Sequence, residues 1–139
     1  MNGTLFEAVV RRCLADLFEK EEIELRIGDN QIRIETETYD VQVYGLTEHI
    51  LIPVKTRETM GGGHANLFTR DIAESIRVAQ EAGHNCIPVV IAESWGGNLD
   101  GLACTHYIYI QKNPNQLSEV ESILATELAK LSDIFRQLS

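Results

Sequence analysis

Apolar positions fall into two periodicities along the chain. Leu5, Phe6, Val9, Val10, Cys13, Leu14, Leu17 and Phe18 recur at helical spacing and form one broad face. Thr4 and Glu7 fit a capping box, so the spacing predicts a helix over about residues 4–21. The period then drops to two. Ile23, Leu25 and Ile27 alternate with Glu24 and Arg26, a half-buried strand closed by the turn Gly28-Asp29-Asn30. A second strand is expected from Ile32 through Tyr44 and a third over His49–Thr56, the three forming an antiparallel meander.

Met60 to His64 (Met-Gly-Gly-Gly-His) reads as a loop. A helix over about 66–82 follows, with Asn66 as N-cap and Gly83 as its stop. The almost wholly apolar run Cys86–Glu93 suits a strand buried on both faces. A fifth strand is expected over Cys104–Gln111. A last helix over about 118–138 opens on a second capping box, Ser118 with Glu121. The order α-β-β-β-α-β-β-α predicts a single α/β domain, a mixed sheet flanked by helices.

Composition agrees with a packed globule. The chain has 139 residues, 44% of them apolar, enough for one core. The formal net charge of −9 excludes a histone-like basic protein but leaves room for a local basic patch. Residues 50–70 carry such a patch, with Lys55, Arg57 and Arg70 against Glu58 alone. The first forty residues instead hold five basic and ten acidic side chains. Three cysteines without a CxxC pair read as free thiols of a reducing cytoplasm. No apolar stretch approaches the length of a membrane span, and no signal peptide is visible, so a cytoplasmic protein without a membrane partner is expected.

Strand alternation singles out the candidate chemistry. If Val41, Val43, Ile50, Ile52 and Val54 share a core, then Asp40, Gln42, Lys55 and Arg57 share the opposite face. A carboxylate and an amine meeting near a strand end make a plausible metal-and-water site: the carboxylate holds Mg²⁺ and the ammonium orients an attacking water.

The element order, Asp40 and the run Ile52-Pro53-Val54-Lys55-Thr56-Arg57 together resemble the PD-(D/E)xK nucleases, which include type II restriction enzymes and junction resolvases. The resemblance covers roughly residues 4–92. It implies a restriction-endonuclease-like fold and a Mg²⁺- or Mn²⁺-dependent endonuclease acting on DNA. Asp40 and Lys55 would be catalytic, with Glu7 as the acid of the first helix. The family's motif acid falls at Pro53, which cannot ligate a metal. The resemblance then assigns that role to a carboxylate displaced onto the following helix, where Asp71 is the candidate and Glu74 faces away. Phosphate contacts are expected from Arg57, His64 and Arg70. Pro53 also supports a rival reading, a degenerate nuclease fold kept as a DNA-holding or protein-interaction subunit.

The last helix adds an assembly expectation. Leu117, Leu124, Leu131 and Leu138 recur every seven residues, with Leu128 and Phe135 between them. Such a seam can join two copies, so a homodimer is expected; the alternative is that the stripe packs on the helix's own sheet.

Overall fold

A computed structural model describes residues 2–58, 65–93, 95, 102, 104 and 106–139. Its elements run α1 (Asn2–Glu21), β1 (Arg26–Ile27), β2 (Ile32–Ile34), β3 (Glu37–Tyr39), β4 (Val41–Tyr44), β5 (His49–Ile52), β6 (Val54–Arg57), α2 (Ala65–Glu81), β7 (Asn85–Cys86), β8 (Val89–Ala92), β9 (Ile108–Ile110), α3 (Leu117–Ala129) and α4 (Ser132–Leu138). This is a mixed α/β domain with helices on both faces of the sheet.

β4 pairs antiparallel with β1 on one side and β5 on the other, and β5 pairs parallel with β7. β6 continues β5 past Pro53 and pairs parallel with β8, which pairs parallel with β9. The expected third strand and the apolar run 86–93 are therefore each split by a proline. Register carries the pairing across the breaks: Leu51 faces Cys86 before them and Val54 faces Val89 after them. The Pro53 and Pro88 carbonyls accept from Val89 N–H and Ile108 N–H at 2.9 Å each, so only donor positions are lost.

The long second strand is also corrected. Glu35 adopts φ 57°, and Glu35-Thr36 turns the chain into a separate β2–β3 hairpin in which Ile34 faces Glu37. The hairpin folds onto α2. The Tyr39 hydroxyl donates to the Ser75 carbonyl and the Ser75 hydroxyl to Glu37 Oε1, both at 2.6 Å.

Two apolar layers hold the sheet. Val41, Val43, Ile50, Ile52, Val54, Val89, Ile91, Ile108 and Ile110 meet α1, α3 and α4 on one face. Leu51, Cys86, Val90 and Ala92 meet Tyr39 and Ile72, Ile76 and Ala79 of α2 on the other. β8 is covered on both sides, as its apolar sequence predicts: Val89, Val90, Ile91 and Ala92 are fully buried.

Helix ends follow local chemistry, with exceptions. Gly83 at φ 85° closes α2: its N–H donates to the Gln80 carbonyl and that of His84 to Ala79, a Schellman motif. α2 starts at Ala65, so Asn66 lies inside it rather than at its cap. α1 starts at Asn2, which places Thr4 within the helix and removes the first capping box. The second is absent too: α3 is preceded by Gln116 with no side-chain cap, and Glu121 instead pairs with Arg12 of α1. The last helix breaks at Lys130–Leu131 into α3 and α4.

The heptad leucines face this chain's own core. Leu124, Leu128 and Phe135 are fully buried, and Leu117, Leu131 and Leu138 pack against the same layer. Phe18 and Phe135 meet edge to face at 5.3 Å. Within one copy the stripe packs on the chain's own core, the alternative to a dimer seam. Among the described residues, no helix is long and apolar enough to cross a membrane.

Candidate active site

The site lies where β4 and the β5–β6 strand part. The last paired residues are Val41 and Ile52, and the chain bends at Asp40 before a further pair forms. The Asp40 carboxylate accepts the Val54 N–H at 2.6 Å. This hydrogen bond joins the two strands beyond their ladder.

Lys55 follows directly. Val54 enters the α1-side core, so the strand's alternation sends Lys55 to the α2 side. There its ammonium lies 3.0 Å from Asp71 Oδ2. Lys55 is mostly buried (15% exposed) and Asp71 half-exposed (53%). Asp71 stands in the second turn of α2, a turn further in than an acid placed by the helix dipole.

Glu7 arrives from α1. It is buried at 9% exposure and carries two donors: Arg11 Nη1 at 2.6 Å to Oε1 and Gln31 Nε2 at 3.0 Å to Oε2. Arg11 also donates to the Asp40 main-chain carbonyl at 3.3 Å, tying α1 to the strand junction. The capping role read for Glu7 is thus replaced by a tertiary one.

Electrostatics joins these groups. Burial raises the Asp40 carboxyl above its ordinary value, and the Glu7 charge adds to the rise. The Val54 N–H and the Lys55 ammonium pull it down, with burial dominant. Asp40 therefore feels the charges of both Lys55 and Glu7. Glu7, Asp40 and Asp71 set three carboxylates against the cations Arg11 and Lys55.

The remaining predicted residues are more dispersed. Arg57 sits half-buried at the end of β6, opposite Ala92. Arg70 is exposed on α2 beside Asp71. His64 and the rest of the Met60–His64 loop lie outside the described residues. Gln42 is half-buried on β4, 3.0 Å from His49 Nδ1.

Two participants were not singled out by sequence. Arg11 stands four residues after Glu7, a spacing that signals an ion pair on a helix. Gln31 has no such local signal, because its contact with Glu7 spans 24 residues.

The donor set suits a hard cation in kind. Asp40 and Asp71 offer carboxylate oxygens, and Mg²⁺ is commonly held by one or two carboxylates with water and substrate phosphate. Among the described residues, no group of three His, Cys, Asp or Glu side chains could hold a metal. No protein-family model, curated protein or solved structure matches the chain.

Proposed function

We propose that this protein is a divalent-metal-dependent DNA endonuclease that hydrolyses phosphodiester bonds. The observation that carries the reading is the junction itself. Asp40 is held at the parting of two strands by the Val54 N–H, and the next residue, Lys55, is ion-paired to Asp71 of α2. Asp40 with Asp71 would hold Mg²⁺ or Mn²⁺, which when bound supplies Lewis-acid stabilisation of the phosphate. Lys55 positions the attacking water. Arg11 and Gln31 orient Glu7 beside Asp40. Arg57, His64 and Arg70 are assigned to the DNA backbone, where the two arginines offset an otherwise acidic chain.

The three free cysteines accord with a reducing cytoplasm. Any pairing of two copies for double-strand cleavage must use a face other than the buried Leu124–Leu128 stripe.

One observation favours a second reading, a nuclease fold kept as a DNA-holding or protein-interaction subunit. Pro53 occupies the motif acid's position, and every candidate carboxylate already has a protein partner.

Incubating plasmid and branched DNA with the protein and Mg²⁺ or Mn²⁺ separates the two readings. Cleavage abolished by EDTA and by Lys55→Ala supports the nuclease. Lys55→Ala should scarcely move the thermal midpoint, because an ion pair to a half-exposed carboxylate contributes about 0–1 kcal/mol. DNA binding without cleavage under all these conditions supports the subunit.

A further inference from the structure

An open cleft of about 380 Å³ adjoins the candidate site, and the hydrolytic chemistry makes no use of it. Asp29, Asn30, Gln31, Gln42, Tyr44 and His49 line it. Gln31 belongs to both places, since its amide lines the cleft and donates to Glu7.

The lining is chemically specific. Three of its residues, Asn30, Gln31 and Gln42, carry amides, each offering donors and an acceptor together, and Ile32 adds an apolar wall. Two rings stand beside them: Tyr44 and His49 face each other across the β4–β5 ladder with centroids 6.0 Å apart and planes 34° apart. His49 is further fixed by Gln42 at 3.0 Å and by the stacked His84 ring at 5.2 Å. Among the described residues, neither lysine nor arginine lines the cleft, and Asp29 contributes a negative charge.

Such a lining offers phosphate, which carries only acceptors and a negative charge, no lysine or arginine to pair with and one opposing carboxylate. It suits a flat, neutral heterocycle whose edge carries donors and acceptors and whose faces stack on rings, the description of a nucleobase. We propose that the cleft holds one unpaired base of a DNA strand whose phosphate lies at Glu7, Asp40 and Lys55. The placement of the phosphate rests on the nuclease reading; the base cleft stands on its own lining. A paired base is stacked within its duplex and reaches such a cleft only by leaving the stack. The substrate class is therefore single-stranded DNA, or DNA with a flap, branch or frayed end.

Fluorescence anisotropy in EDTA, with a labelled short oligothymidylate alone or annealed to its complement, tests this without cleavage. The single strand should bind about tenfold tighter than the duplex. Tyr44→Leu should weaken single-strand binding about tenfold and leave duplex binding unchanged, while Tyr44→Phe, which keeps the ring, should bind like wild type. Equal affinity for the two forms, or wild-type binding by Tyr44→Leu, overturns the proposal. If Tyr44→Leu does not fold, NMR of the wild type decides: oligothymidylate must shift the His49 ring protons, and unshifted signals at saturation overturn the cleft. Cleavage with Mn²⁺ is scored separately. Single-strand preference without cleavage keeps the cleft and removes the nuclease, and cleavage without the preference does the reverse.

Discussion

Asp40 has one structural job and one proposed functional job, and two substitutions separate them. Its carboxylate accepts the Val54 N–H at 2.6 Å, and Val54 is buried. Asp40→Ala removes the acceptor and strands that donor, which costs about 1–3 kcal/mol. For a chain of this size, about 4 °C per kcal/mol translates this into a thermal midpoint lower by about 4–12 °C. Asp40→Asn keeps a carbonyl oxygen for Val54 and removes a charge that burial disfavours. It should match or exceed wild-type stability while losing cleavage as completely as Asp40→Ala does. The pH dependence follows from the raised carboxyl. The folded protein holds the Asp40 proton more tightly than the unfolded chain, so wild type loses stability as pH rises from the ordinary aspartate value through the raised one. The advantage of Asp40→Asn should be absent in acid, grow across that window and level off above it. Thermal unfolding by circular dichroism from pH 3 to 8, beside a plasmid-nicking assay, reads both quantities. If Asp40→Asn is as unstable as Asp40→Ala at pH 7, the negative charge itself supports the fold and the functional argument for a tolerated buried charge fails.

The core and the thiols give two further expectations. Leu124→Glu places a charge where the side chain is fully buried, so it should yield unfolded or insoluble protein; a folded monomer obtained from a wild-type dimer would instead restore the seam. Burial pushes the Cys86 thiol up to about 12, with Cys104 adding to the rise and Lys55 opposing it, so Cys86 should resist a disulfide reagent at pH 8 until the protein is unfolded, while the half-exposed Cys104 reacts first. Mass mapping of labelled cysteines checks the order, and rapid labelling of Cys86 in the native protein would contradict it.

Hydrophobic pattern made the layers legible. Alternation assigned Val41, Val43, Ile50, Ile52 and Val54 to one core face and Lys55 to the other, and the structure agrees. The continuous apolar run predicted a strand covered on both sides, and β8 is such a strand. What alternation concealed were breaks that leave it undisturbed. Pro53 and Pro88 are themselves apolar and sit at matching levels of neighbouring parallel strands, so each splits a strand without interrupting its run. Glu35 looks like an ordinary polar strand residue, yet its left-handed backbone makes a hairpin that alternation alone does not mark. Capping boxes failed for a related reason. Glu7 and Glu121 have the right local spacing, but α1 begins before Thr4, and each carboxylate finds an arginine: Arg11 one turn on in the same helix for Glu7, and Arg12 of α1 for Glu121.

The site was legible as residue types on one side of two strands, but not as contacts. The Pro53 carbonyl accepts from the Val89 N–H, so the donor that proline lacks would also face β8, and the pairing with β4 loses nothing to it. On the β4 side the strand's next donor is the Val54 N–H. The chain bends at Asp40 between β3 and β4, so the ladder ends at Val41 and Ile52, and the Asp40 carboxylate accepts that N–H instead. Asp71, reaching Lys55 from α2, supplies a further acid beside that lysine without needing a place on the strand. Both contacts join different elements, so alternation along single strands could place Asp40 and Lys55 on a side but could not pair either with its partner.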